Sequence, residues 1–421
     1  MRSPNLRLTI VALWKWPGLP SAMLHGMGLG IRLCFMFAVL LWSGPALLGK
    51  YGLLVSIEVV AIYLAGFEFH TFTTRRYARR PSEESLGRSL AGHRRLLLLS
   101  VPLAMIGSGA ATWALNIGLS ALELAAFMVV IATGTIVQDL TRFIVMARNP
   151  VMSIAVGFVR QAVWMPVALL FVGLASPLQW ILLCWAIAAF LSLLLGVWVL
   201  RSAVWRPHRI RPNYMLHGLN VARNYHITAS ASVLQGNMER FVIQSFLGPE
   251  AVGIFAFFQN LANTLPAFVQ AAVLNLWLPN LLGVFGQVRS ERFAILMRVV
   301  KRAVAVSLFT SVGILGGSIG LSVLTAHLEY LPQIWILLFL LTGQIAQMAT
   351  QPVHLALYGA HRDRALMRMS LALLGLSLLL GIVLVAMFGM TGAVVSQLIT
   401  GLGIASARLG LFRFYLQRNS I

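Results

Sequence analysis

Charge is the scarcest thing in this sequence. Only 10% of its 421 residues are charged, and Asp plus Glu number 11 against 32 Lys plus Arg. A soluble chain carries charge on about a quarter of its residues, so a water-facing globular exterior is excluded. Cysteine is nearly absent. Cys34 and Cys184 both fall within apolar stretches, which rules out a disulfide framework and any metal-ligand spacing. No metal and no cofactor are expected. Long polar segments are missing too, so no room remains for a further globular domain. The same shortage bears on catalysis: the connections opposite the basic loops are a handful of residues each, near 45–50, 118–120, 175–177, 248–251, 326–331 and 388–390. They hold no acid pair, no Ser/His/Asp set and no metal cluster, and the chain is not expected to be an enzyme. His25, His70, His226 and His354 stand singly and read as packing or polar-lining groups.

What the chain has is apolar sequence. It is 59% hydrophobic, with a mean hydropathy of +0.85. Twelve stretches are long enough to cross a bilayer: about 23–44, 51–72, 97–117, 121–143, 151–174, 178–200, 221–247, 252–283, 303–325, 332–358, 369–387 and 391–412. The fold class expected is an all-α polytopic membrane protein of about 12 transmembrane helices.

The net charge of +21 suggests nucleic acid until its placement is considered. All but five of the Lys and Arg (Arg32, Lys50, Arg160, Arg223 and Arg240) lie in the N-terminal tail, the C-terminal end and every second loop. The pattern is positive-inside, which predicts cytoplasmic termini and cytoplasmic long loops. Nucleic acid is not an expected partner. The basic stretch from Arg75 to Arg95 would also attract anionic headgroups or a diphosphate, although topology control accounts for it equally well. The short Leu8 to Trp14 run is followed by Lys15 and Pro17 without a convincing cleavage site, so the N-terminus is expected to be retained.

Two patterns occur twice. Gly44-Pro45-Ala46-Leu47-Leu48-Gly49-Lys50-Tyr51 returns 204 residues later as Gly248-Pro249-Glu250-Ala251-Val252-Gly253-Ile254-Phe255. Thr133-Gly134-x-Ile136-x-Gln138-x-x-Thr141 returns 209 residues later as Thr342-Gly343-x-Ile345-x-Gln347-x-x-Thr350. Equal order and nearly equal offset imply a duplicated unit. With six spans per half, an even number, the halves sit the same way up: a parallel repeat of two six-helix bundles. The boundary expected is 1–205 and 206–421, with the cytoplasmic connection in 201–220. The Gly-Pro pattern marks an outer turn. Gln138 and Thr141, like Gln347 and Thr350, share a helix face and suit either packing within a half or the lining of a cavity.

Ionisable residues inside a membrane are the natural functional candidates. Arg32 and Arg160 lie near mid-depth in spans 1 and 5, Glu58 lies in span 2, and Glu239 and Arg240 occupy the outer third of span 7, with Arg223 at its inner end. Arg32 with Glu58, or Arg160 with another acid, are alternatives as buried pairs. Arg160 has no obvious partner at its depth, which makes it the better anion-binding candidate. Arg240 reads as structural. Glu68, Glu123 and Asp139 lie close to boundaries, and Asp139 has Arg142 at i+3. Asn224, Thr228, Ser232, Gln235 and Glu239 form one helical face. Span 8 continues it with Gln259, Asn263 and Gln270, and Pro266 can bend that helix. Such a stripe lines a water-filled cavity or is consumed by interhelical hydrogen bonds.

Glu239-Arg240-Phe241, the stretch Phe246 to Phe255, and Asn275 to Pro279 together resemble the polysaccharide flippases of the multidrug/oligosaccharidyl-lipid/polysaccharide exporter superfamily. The chain is similar in particular to the Wzx-type translocases of O-antigen and capsule repeat units. Gly44 to Tyr51 and the basic loop after span 2 fit at the matching places. The family commonly has Asp where Glu239 stands. The resemblance implies two six-helix bundles around a cavity open to one side at a time, in a bacterial inner membrane. Its substrate would be an undecaprenyl-diphosphate-linked oligosaccharide moved from the cytoplasmic to the outer leaflet during exopolysaccharide or O-antigen biosynthesis. Partners implied are that lipid-linked glycan, membrane lipids and the polysaccharide polymerase machinery. Under this reading Arg32, Arg160, Arg223, Asn224, Thr228, Gln235, Gln259 and Asn263 bind diphosphate and sugar, and Glu58 and Glu239 are the coupling candidates. Guanidinium groups suit a diphosphate because they pair with its oxygens in a bidentate way. A multidrug or cation antiporter of the same superfamily is the nearest rival, kept open by Glu58 and Glu239. A flippase for the peptidoglycan lipid precursor is another, though that group resembles fourteen-helix proteins.

Overall fold

The computed structural model describes residues 19–79, 82–147, 149–201, 213–282, 289–324, 332–360 and 362–418. The Leu8 to Trp14 run, Arg148, most of the 201–220 connection with Arg206, and the 326–331 connection lie outside them. Among the described residues every element is helical: α1 Leu19–Gly66, α2 Phe69–Arg79, α3 Glu83–Ala114, α4 Ala121–Met146, α5 Pro150–Phe158, α6 Trp164–Leu169, α7 Pro177–Val199, α8 Tyr214–Ala262, α9 Thr264–Val269, α10 Asn275–Leu282, α11 Arg289–Leu324, α12 Ile334–Gly359 and α13 Asp363–Arg418. Nine helical stretches among the described residues are long and apolar enough to cross a membrane. Three of these, containing α1, α8 and α13, are two crossings joined at a single glycine, at Gly44, Gly248 and Gly389. The twelve expected crossings follow. Trp113, 85% exposed, and Phe309, 83% exposed, face outward with many other large apolar side chains, as a lipid-facing exterior requires. The protein is a multi-pass membrane protein.

Gly44 (φ 79°, ψ 174°) and Gly248 (φ 83°, ψ −179°) adopt the same left-handed turn. That conformation suits glycine, and the following proline cannot continue the preceding ladder but starts a helix well. The turn is tighter than the sequence suggested. Residues 45–50 are already helical, so Lys50 belongs to a helix rather than a loop. Other helix starts are capped by side chains. Ser82 accepts from the Ser85 amide at 3.1 Å. Ser120 and Glu123 form a reciprocal capping box at the start of α4, which accounts for Glu123.

The chain divides into two compact units. Unit 1 comprises 1–43 and 57–223, and unit 2 comprises 44–56 and 224–421. The segment 44–56, in the first half by sequence, is thus part of unit 2. In unit 1, α4 packs on α3 and α7. Trp164 stacks on Trp185 with centroids 5.5 Å apart and meets Phe35 edge-on at 5.2 Å. Between α5 and α6 the ladder widens into a π turn, Val159–Val163.

In unit 2 the two Gly-Pro repeats meet. A Cβ at Gly49 would lie 1.8 Å from the Pro249 carbonyl oxygen, and one at Gly253 would lie 1.9 Å from that of Pro45. Backbones approach this closely only where side chains are absent. α12 and α13 pack in a similar way, with Gly401 against the backbone of Gly343. The eighth crossing is interrupted at Asn263, then by the π turn Gln270–Leu274. Pro266 lacks an amide hydrogen for the Ala262 carbonyl four residues back, which is where α8 ends.

Candidate functional site

Unit 1 carries a charged centre. The Arg160 Nη1 donates to Glu58 Oε1 at 2.8 Å, and both side chains are buried. The expectation that Arg160 lacks a partner is therefore corrected: Glu58, 102 residues away, is that partner. The π turn that contains Arg160 shifts the phase of the helix and turns the guanidinium inward. Room for it comes from the first copy of the Thr-Gly repeat. A Cβ at Gly134 would stand 2.9 Å from Arg160 Nη1 and 3.4 Å from Glu58 Oε1. Arg32 belongs to the same unit, and its charge also acts on Glu58. Its buried Nε has no hydrogen-bond partner among the described residues. At this centre Glu58 is paired with Arg160 and also feels the charge of Arg32, so cations locally outnumber acids two to one.

Unit 2 separates the neighbours Glu239 and Arg240. Arg240 Nε donates to Gln259 Oε1 at 2.6 Å, and its Nη1 donates to Ser56 Oγ at 3.0 Å and the Gly52 carbonyl at 3.3 Å. This clamp holds 44–56 in unit 2 and bears out the structural reading of Arg240. It also changes the reading of Gln259, which is 2% exposed and occupied by Arg240 rather than open to a ligand. Glu239 points the other way. Its Oε1 accepts from Ser377 Oγ on α13 at 3.3 Å, and its buried Oε2 has no partner among the described residues.

The polar face of α8 is only partly open. Gln235 donates to the Leu373 carbonyl on α13 at 3.4 Å, an interhelical bond like the one Glu239 Oε1 makes to the same helix. Thr228 donates to the Asn224 carbonyl at 2.8 Å. Asn263 accepts from Gln344 on α12 at 3.2 Å. Arg223 and Ser232 are exposed. The structure brings Arg32, Glu58 and Arg160 together, and it does not gather Gln235, Gln259 and Asn263 on one free surface.

Sequence reasoning missed a third polar group, in unit 1. His93 Nδ1 and Asp139 Oδ2 lie 2.9 Å apart, His93 Nε2 and Thr73 Oγ1 lie 3.3 Å apart, and Phe69 and Phe143 meet the imidazole edge-on. Arg142 reaches Asp139 at 3.4 Å, as its spacing suggested, and Glu68 at 3.9 Å. His93 sits beside Arg94 and Arg95, which masked it within a basic run. The signal available was Asp139 itself, a buried acid that needs more than one partner. The network stitches α2, α3 and α4 together next to the left-handed Phe67–Glu68 break.

No protein-family model matches the chain, and no curated protein matches it by sequence. Solved structures do match. One is an inward-facing multidrug resistance MATE family transporter of the MOP superfamily, with a TM-score of 0.71 and 12% identity over 92% of this chain and 94% of that one. Another is the lipid II flippase MurJ in an inward closed conformation, at 0.71 and 11% over 93% of this chain and 87% of that one. A third is a MOP superfamily transporter from Pyrococcus furiosus described as having a binding pocket of reverse polarity, at 0.58 and 11% over 95% of both chains. At these identities what is shared is architecture: this chain has the fold of the MATE transporters and of MurJ.

Proposed function

We propose that this protein is a flippase that carries a polyprenyl-diphosphate-linked oligosaccharide from the cytoplasmic to the outer leaflet of a bacterial inner membrane by alternating access. The observation that carries this reading is the local excess of cations around Glu58, which is paired with Arg160 and also feels the charge of Arg32. A cation exporter needs the opposite balance, whereas a diphosphate is matched by guanidinium groups. The fold accommodates both MATE multidrug transporters and a lipid flippase. It also accommodates a pocket of reversed polarity. Residues 1–205 and 206–421 form the two repeats, and both termini lie in the cytoplasm. Arg32, with an unpartnered Nε, is the first contact assigned to the diphosphate, and Arg160 joins it when Glu58 is neutralised. Arg223, Asn224 and Thr228 are assigned to the sugar–diphosphate path, with Glu58 and Glu239 as coupling groups. The glycan would pass to a polysaccharide polymerase.

A second reading, cation antiport, is favoured by one observation: the buried Glu239 carboxylate oxygen without a partner among the described residues. A chromosomal deletion separates the two. Polyprenyl-diphosphate lipids are measured by mass spectrometry and surface glycan by gel. Accumulated lipid-linked repeat units with lost glycan are expected. Unchanged lipids and glycan, with new sensitivity to cationic drugs, would overturn the flippase in favour of the antiporter.

A further inference from the structure

Unit 2 carries an arginine of its own near the end of its last crossing. Arg408 lies on α13. Its Nη1 donates to the Gln347 carbonyl on α12 at 3.0 Å, while its buried Nε has no partner among the described residues. No carboxylate among the described residues pairs with it. Asp363, an acid at the same end of unit 2, accepts from the Tyr225 hydroxyl at 2.7 Å through Oδ2, while its buried Oδ1 has no partner among the described residues.

A second unpaired group stands nearby. His354 is two turns beyond Gln347 on the same face of α12, and its buried Nδ1 also lacks a partner among the described residues. The Arg408 charge acts on its ring. Buried polar atoms are nearly always satisfied, so two orphans on facing helices call for something between them. Farther along that face of α13, Tyr415 carries Arg362 over its ring at 4.4 Å, which adds a cation at the same end.

Depth says which chemistry fits. From the Gly389 turn to Arg408 is a rise of about 29 Å at ~1.5 Å per residue, and from the start of α12 at Ile334 to His354 is about 30 Å. The hydrocarbon layer is ~30 Å thick. With the Gly389 turn at one interface, both residues reach the other, on the side of the basic loops. Phosphate groups of lipids lie at that level.

We infer that Arg408, with His354, forms a phosphate-binding site between α12 and α13 of unit 2, occupied by the head of a lipid at the leaflet boundary. Gln347, from the second copy of the Thr-Gly repeat, positions the guanidinium through its carbonyl. The phosphate would accept from Arg408 Nε and from His354 Nδ1 in its Nδ1–H tautomer. If the flippase reading holds, the occupant is the diphosphate of the substrate as it is loaded; otherwise it is an anionic phospholipid.

The test is binding to the purified full-length protein by native mass spectrometry, with undecaprenyl diphosphate and phosphatidylglycerol as separate probes and phosphatidylcholine, which is zwitterionic, as reference. Arg408→Gln and His354→Ala are each expected to weaken one of the two anionic probes by about tenfold or more, as loss of a charge-assisted contact implies, with Arg408→Lys weakened less. Selective loss of undecaprenyl diphosphate identifies the substrate, and selective loss of phosphatidylglycerol identifies a structural lipid; either supports the site. Unchanged binding of both anionic probes in folded Arg408→Gln and His354→Ala proteins would overturn it, as would equal weakening of phosphatidylcholine. The deletion phenotype judges the flippase reading separately, since the site survives its failure.

Discussion

At the scale of single residues, the Glu58–Arg160 pair has the clearest consequence. Removing one member strands the other's charge away from water, at a cost of about 3–5 kcal/mol, whereas removing both relieves much of that cost. Arg160→Gln alone is expected to lower thermal stability in detergent strongly, and Glu58→Gln/Arg160→Gln to recover a substantial part of the loss. Additive losses in the double variant would show that the two do not interact. The depth of both residues was legible in the sequence because spans and charges can be placed along one axis. Their partnership was not, since it depends on a π turn that rotates Arg160 and on a missing side chain at Gly134. The same reasoning explains why Arg240, so close to Glu239 in sequence, bonds Gln259 and Ser56 instead. Adjacent residues on a helix point about 100° apart, and sequence proximity does not make a pair.

Among helices, a very close contact is that between the two Gly-Pro copies in unit 2, where Gly49 meets Pro249 and Gly253 meets Pro45. Neither glycine has room for a methyl group, because the obstacle is backbone rather than a movable side chain. Gly49→Ala and Gly253→Ala are each expected to abolish the monodisperse peak in size-exclusion chromatography. Gly313→Ala in α11, where nothing lies within 4 Å, is expected to leave it intact. A normal profile for Gly49→Ala would refute the close approach. The Gly-Pro pattern announced the turns at Gly44 and Gly248 because both residues have narrow backbone preferences. It did not announce that 44–56 would join unit 2, since that follows from Arg240 and from glycine packing across some 200 residues. The interruptions at Phe67–Glu68 and at Gln270–Leu274 were equally hidden, having no proline or glycine within them to mark the break.

For the whole molecule, the apolar runs and their alternation with basic loops were enough to read twelve crossings, because lipid imposes length and charge rules that water does not. The orientation is testable in a variant lacking Cys34 and Cys184. Glu250→Cys is expected to react with a membrane-impermeant maleimide on intact cells, and Glu84→Cys only after lysis. The reverse result would invert the topology. Both positions are exposed in the structure. The paired glycines carry one more consequence. Each Gly-Pro copy turns its glycine to the proline carbonyl of the other, so the same two groups meet twice. Such reciprocity, in which one residue meets a second as the second's counterpart meets the first, is the pattern of an isologous contact. The two glycines are therefore constrained as a pair: a side chain gained at either one meets backbone and breaks its half of the exchange.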